Sequence, residues 1–267
     1  MTNRRFDALF GGKPRNPSER LEQRHMDLAA SVQQVTEEIM LRLTRNLTRE
    51  GRSENLCLAG GVALNCVANG KILRERNFAN MWVQPAAGDA GGAVGAALAA
   101  YYQFAGRQRQ APASDAMAGG YLGPSFTQGE IEQRLATASA VFSTLDDSAL
   151  IQYTVKALTA ENVVGWFQGR MEFGPRALGA RSILGDPRSS TMQSSLNLRV
   201  KFRESFRPFA PAVLRERVAD WFDLDGDSPY MQIVAGVQER RRRPANPGGD
   251  RLFGIERSIF PGRKFRP

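Results

Sequence analysis

A short apolar run, Leu56 to Ala59, ends on Gly60 and Gly61 and opens onto a helical pattern through Ala63, Leu64, Val67 and Ile72. Strand, glycine turn and helix in that order make this stretch an α/β unit, because the apolar period changes from strand to helix across two residues that permit a sharp reversal. A second strand, Met81 to Gln84, leads into PAAGDAGGAVGAALAAYY, whose small residues from Gly91 onward predict a helix able to pack closely on its neighbours. Upstream, Leu28, Val32, Val35, Ile39, Leu43 and Leu47 recur at spacings of three and four, with Arg42, Arg45 and Arg49 toward the C-terminal end and Gly51 as the stop. The apolar stripe of this long helix is expected to lie on a sheet.

Residues 1–22 are polar and rich in Gly, Pro and Arg, and read as an irregular lead-in. Residues 23–104 form a first α/β domain. From 105 to 125 the chain is dense in Gly, Pro, Ala and Ser with little periodicity, and is placed as a linker. Over 126–238, Thr127 and Glu130 have the spacing of a capping box, Val141 to Ser143 reads as a strand, Ser148 to Thr159 suits a helix, and Val163 to Phe167 is a clear strand. No internal repeat is evident.

Composition bounds the function. With 42% hydrophobic and 24% charged residues in 267, the chain is globular rather than fibrous or wholly disordered. It has no apolar run near the ~18 residues of a membrane span, and its start lacks the apolar core of a signal peptide, so a soluble cytoplasmic protein is expected. Cys57 and Cys66 lack CxxC spacing and nearby histidines, and read as reduced core residues; Trp82, Trp166 and Trp221 also read as core. The net charge of +9 suggests nucleic acid, but +6 of it falls between Glu239 and the C-terminus, where Arg240 to Arg243 stand together. Such a basic tail over 239–267 reads as a solvated, disordered end rather than a binding surface.

Three motifs carry chemistry. In LAGGVALNCVANG, Gly60 and Gly61 at a strand mouth let backbone amides approach a phosphate at a helix N-terminus, and Asn65 is placed to reach a ribose or phosphate; a plain tight turn, with Asn65 satisfying a neighbouring carbonyl, reads equally well. Asp89, between glycines at the second strand-to-helix junction, is either a helix cap or a ligand to a phosphate-bridging cation. The most specific motif runs from GRMEFGPRALGARSILGDPR to NLRVKFRESFRPFAP. Between Gly169 and Arg207 it holds Arg170, Arg176, Arg181, Arg188, Arg199, Lys201, Arg203 and Arg207 on turn-rich backbone, against only Glu172, Asp186 and Glu204. Guanidinium forks on fixed loops suit a phosphate or carbamoyl-phosphate pocket better than an exposed basic face. His25 is the only histidine, has no nucleophile motif around it, and reads as a structural residue near a helix N-terminus.

QRHMDLAASVQ, NLCLAGGVALNCVANGKILRE, QPAAGDAGGAVGAA, GRMEFGPRALGARSILGDPR and VKFRESFRPFAPAVL, in this order between Gln23 and Tyr230, resemble the carbamoyltransferases that modify nodulation factors, cephamycins and aminoglycosides. The resemblance implies an actin-like ATPase-type domain, of which 23–104 is the C-terminal part, followed by an incomplete YrdC-like domain over 126–238. It implies that carbamoyl phosphate and ATP form a carbamoyl-adenylate, whose carbamoyl group passes to a hydroxyl of a glycan such as a lipo-chitooligosaccharide. Lys201 and Arg207 would then be catalytic. Arg170, Arg176, Arg181, Gly60, Gly61 and Asn65 would bind carbamoyl phosphate and nucleotide. Asp89 would hold Fe(II) or another divalent metal, whose other ligands, a His-x-x-x-His pair, have no counterpart in this sequence. A second polypeptide supplying that region is therefore an expected partner; a non-catalytic remnant of the family is the alternative, and a nucleic-acid binding module a further one.

Overall fold

The computed structural model describes residues 3–16, 19, 21–51, 53–205 and 207–242. It is a mixed α/β protein with two small sheets. Helix α1 (Arg4–Leu9) lies where an irregular lead-in is expected. Its Asn3 cap explains the difference, because one side-chain oxygen accepts from both Arg5 N and Phe6 N at 3.1 Å. Helix α2 (Gln23–Glu50) ends at Gly51, whose φ of 63° supplies the left-handed turn that stops a helix.

Strands β1 (Asn55–Leu58) and β2 (Asn80–Val83) pair in parallel, Leu56 opposite Met81, with helix α3 (Cys66–Glu75) as the crossover. Met40, Leu56, Ala68 and Ile72 form one core between α2, α3 and the sheet, and Ala63, Val83 and Ala87 a second beside it. The orientation of α2 corrects the sequence reading. Its buried side chains are Glu37, Met40 and Thr44, whereas Val32, Val35, Ile39, Leu43 and Leu47 are about half exposed. A single polar bridge explains how Glu37 is accommodated: its carboxylate takes an ion pair from Lys71 of α3 and a 2.8 Å hydrogen bond from Gln33.

Helix α4 (Asp89–Ala99) continues as a π-turn over Ala100–Phe104. Close packing is met at Gly91, where a Cβ would come within 2.1 Å of Ala86 O, but Gly92 and Gly95 face open space and α4 buries no residue. Cys57 and Trp221 are exposed and Trp82 largely so, which corrects their core assignment; Leu56 takes the inward position in β1 that alternation denies Cys57. Both cysteines are free.

Helix α5 (Gln128–Thr137) opens on the expected capping box, and helix α6 (Asp147–Thr159) on an Asp146 cap. The expected strand at Val141–Ser143 does not form, since among the described residues these pair with no strand and Val141 is fully exposed. Strands β3 (Val164–Phe167) and β4 (Arg181–Leu184) form an antiparallel pair, followed by short helices α7 (Met192–Ser195) and α8 (Val218–Trp221).

The segment 119–124 packs on 171–173, through Phe173 N to Gly120 O at 2.6 Å and Gly123 N to Met171 O at 2.8 Å. The later part of the expected linker is thus held in place. Tyr230, buried, hydrogen-bonds Asp115 and accepts from Gly119 N at 3.1 Å; burial first, and then the Asp115 carboxylate, push its phenol up to about 12. After Tyr230 the chain returns to α3 as a strap: Val234 N donates to Cys66 O at 3.0 Å, and the fully buried Asn69 Nδ2 donates both to Gln232 O at 3.0 Å and to Ala63 O at 2.8 Å. Gly70 is what lets the strap sit so close, since a Cβ there would lie 2.1 Å from Val234 O. Gly70→Ala is therefore expected to cost about 1–3 kcal/mol by forcing the strap off α3. A thermal melt unchanged from that of the parent chain would contradict this.

Arg240, Arg241 and Arg242 do not behave as a freely solvated run. Arg241 Nε donates to Asp220 O at 3.1 Å and lies over Trp221 at 4.3 Å, and Arg242 Nε donates to Val237 O at 2.9 Å. Arg243 and the rest of the expected disordered tail lie outside the described residues. Among the described residues no helix is long and apolar enough to cross a membrane.

Candidate functional site

The glycine turn forms as the sequence suggests. Gly60 adopts φ 93°, open to glycine, and Gly61–Leu64 make a 3-10 turn. Nothing lies within 4 Å of a Cβ on Gly60 or Gly61, so the turn opens to solvent rather than being filled by protein. Asn65 caps α3 by accepting from Ala68 N at 3.2 Å, and its amide pairs with that of Gln33, at 2.9 and 3.1 Å. Those bonds hold Asn65 in a structural role and fix the turn against α2.

The arginine-rich loop reaches this turn at one point. Arg176 Nη2 donates to Leu64 O at 3.2 Å, while its Nε is buried without a partner. Gly174, at φ 131°, lets the loop pass within van der Waals reach of Pro85 and Ala86. An unmet buried guanidinium donor costs free energy until an acceptor oxygen reaches it. The loop itself is shaped by Glu172, which is 8% exposed and accepts from Leu178 N at 2.7 Å, Ala180 N at 2.8 Å and Arg181 N at 3.3 Å. Burial pushes this carboxyl up, but the backbone donors outweigh it and hold the group below the usual carboxylate range.

Other arginines are committed elsewhere. Arg181 donates to Gln168 O at 3.0 Å and Gly169 O at 3.2 Å and stacks 3.3 Å over Phe167, which closes the β3–β4 loop. Arg170 is exposed, with one long contact to Leu122 O at 3.5 Å. Arg188 forms a fork on Asp186, Nε to Oδ1 at 2.9 Å and Nη2 to Oδ2 at 2.6 Å.

Lys201 and Arg207 occupy a second loop, after the π-turn Leu196–Val200, and both are exposed. Asn197 is its pin. Fully buried, it donates to Ser205 O at 3.0 Å and Arg207 O at 2.8 Å and accepts from Arg203 Nε at 2.7 Å. Beside the loop is a cavity of about 340 Å³ lined by Thr191, Ser194, Ser195, Leu198, Arg199 and Ser205. Most of the surface this cavity exposes is apolar, although four hydroxyl-bearing residues and Arg199 contribute to its wall. A larger hollow of about 480 Å³ lies along Glu130, Arg134 and Ala138, on the face of one helix and away from every candidate residue.

The predicted residues thus fall into separate groups. Arg176, from the β3–β4 connection, meets the turn of Gly60, Gly61 and Asn65 at Leu64 O; Lys201 and Arg207 share a loop; Arg170 lies earlier on the β3–β4 connection and Arg181 opens β4. Asp89 is the exposed first residue of α4, behind a Gly88 cap. Among the described residues no three His, Cys, Asp or Glu side chains gather as a metal requires. His25 Nδ1 accepts from Glu22 N at 3.0 Å, the structural N-terminal role expected of it. Glu172, Asn197, Asn69 and the cavity hydroxyls were not legible as site residues, because their roles rest on which backbone groups they meet.

Two family models match the sequence: the carbamoyltransferase N-terminus over residues 1–98 and the carbamoyltransferase C-terminus over residues 155–247. An uncharacterised protein of Synechocystis is 57% identical over 98% of this chain and 43% of its own length. Nodulation protein NolO of Bradyrhizobium diazoefficiens is 41% identical over 82% of this chain and 40% of its own. The chain belongs to the carbamoyltransferase family. Another relative, the 3'-hydroxymethylcephem-O-carbamoyltransferase of Streptomyces clavuligerus, is 36% identical over 69% of this carbamoyltransferase-family chain and 33% of its own length. The chain spans roughly two fifths of the length of the curated relatives it matches.

Proposed function

We propose that this chain is a component of an O-carbamoyltransferase that uses carbamoyl phosphate and ATP to form carbamoyl-adenylate and passes the carbamoyl group to a hydroxyl of a glycan, with a lipo-chitooligosaccharide nodulation factor as the model acceptor. The observation that carries this reading is the match to the carbamoyltransferase N-terminal and C-terminal family models, the second of which spans the arginine-rich loops with Lys201 and Arg207. Arg199 lines the cavity, and Lys201 and Arg207 stand exposed on the loop that follows, where they would offset charge as the phosphate departs. Carbamoyl phosphate gives up its phosphate and ATP its pyrophosphate as the carbamoyl-adenylate forms, and AMP departs when the acceptor hydroxyl attacks the carbamoyl carbon. The open glycine turn, with Arg176 against it, is the candidate nucleotide contact.

On this reading the first half is the C-terminal part of an actin-like ATPase-type domain and the second part of a YrdC-like one, in a cytoplasmic enzyme. The strand, glycine turn and helix of β1 and α3 are consistent with the first assignment. Asp89 contributes a single carboxylate, and any metal it helps hold takes its remaining ligands from outside the described residues; no step here is routed through one. The test is carbamoyl transfer from carbamoyl phosphate, assayed with the chain alone and then with a polypeptide carrying the additional N-terminal region of the longer relatives. Carbamoylated acceptor in either assay is the expected result, and product in neither would reject the proposal.

A further inference from the structure

We propose that Glu172 is a positioning residue that acts through Arg176, and that its carboxylate sets where the arginine loop meets the glycine turn. This rests on the functional reading above only for its kinetic consequence. Three backbone N–H groups, from Leu178, Ala180 and Arg181, converge on one buried oxygen, Glu172 Oε1. The bonds curl residues 174–181 back on themselves. Gly179 is fixed in turn by Ser182 Oγ, which accepts from its N–H at 3.0 Å, and Tyr121 donates to Leu178 O at 2.7 Å. Gly174 seats the start of the loop against Pro85 and Ala86. With its two ends held, the loop has one place to put Arg176, beside Leu64 O at the end of the glycine turn.

A carboxylate suits this role because its charge strengthens all three bonds at once, and a neutral amide of the same shape accepts them more weakly. Glu172→Gln keeps the volume and removes that charge, so it separates positioning from packing. Glu172→Asp keeps the charge on a stem one methylene shorter.

Two measurements on the full chain test the role of Glu172. In 15N NMR spectra, the Leu178 and Ala180 amides are expected to titrate together with a midpoint below the usual carboxylate range, and the buried Arg176 Nε–H to exchange slowly. In Glu172→Gln the amide titration should vanish and Arg176 Nε–H exchange should rise about tenfold or more. Amides that do not titrate, or Arg176 exchange equal to that of the parent, would overturn the proposal whether or not the enzyme turns over. The kinetic arm is a double-mutant cycle on carbamoyl-phosphate-dependent ATP turnover. Glu172→Gln and Arg176→Lys should each lower kcat/KM, and the double variant should be no worse than the more damaged single one. Additive losses would show that Glu172 does not act through Arg176. Absence of turnover in the parent, both alone and with the supplementary polypeptide, would reject the functional reading, while the NMR titration and exchange rates would still test Glu172 by themselves.

Discussion

Lys201→Ala is expected to lower carbamoyl-phosphate-dependent ATP turnover by about two to three orders of magnitude in the active enzyme, and Arg207→Ala by a similar factor, because on the proposed reading each removes a charged donor that offsets phosphate charge. Both side chains are exposed, and the Arg207–Glu204 pair, 2.8 Å apart, is itself half exposed. Surface changes of this kind leave stability within ~0.5–1 kcal/mol, so the melting curve should hardly move. Arg207→Lys is expected to restore only part of the activity, since a single ammonium cannot reproduce a planar two-pronged contact. Turnover at parental levels in Lys201→Ala and Arg207→Ala would show that the phosphate site lies elsewhere, and a collapsed melting curve would show instead that the loop needs these side chains to fold.

Asn197→Ala carries the second large effect, first on the loop's structure and through it on activity. The side chain is fully buried and satisfies two carbonyls and one guanidinium N–H, so truncation leaves three polar groups, one bonded in the interior and two at its edge, to find new partners. A loss of about 2–4 kcal/mol follows, which for a chain of this size lowers the melting temperature by roughly 5–10 °C. Asn197→Asp is the sharper control. It keeps the acceptor for Arg203 but turns a carboxylate oxygen toward the carbonyls of Ser205 and Arg207, where two acceptors now face one another. It should destabilise at least as much as alanine at neutral pH and recover in part as the carboxyl protonates. Equal melting temperatures for parent and both variants would remove Asn197 from the account of how Lys201 and Arg207 are presented.

The sequence made local elements readable where local chemistry decides them. Gly51 ends α2, Thr127 and Glu130 start α5, and β1 and β2 fall where the apolar runs and turns put them. Orientation was less legible. The period of three and four along α2 states that one face is apolar, but which face is covered depends on α3 and β1, and there Glu37 is taken inward by Lys71 and Gln33. Val141 to Ser143 has strand composition without a neighbour to pair with. Among the charged residues, counting arginines found a basic region without telling Arg176, which reaches a turn more than a hundred residues away in sequence, from Arg181, which is spent on its own loop. Glu172 looked like a counter-charge to the arginines, and only the backbone N–H groups around it reveal its function as an acceptor.

The outward stripe of α2 has a practical side. A helix of 28 residues is about 42 Å long at 1.5 Å per residue, and Val32, Val35, Ile39, Leu43 and Leu47 run along much of it, half open to water. A continuous apolar strip of that kind is adhesive. Purified alone, the chain will tend to gather through this strip as its concentration rises. Light scattering and gel-filtration profiles will then vary with dilution and mild detergent, and a particle mass taken at one concentration will describe handling as much as architecture.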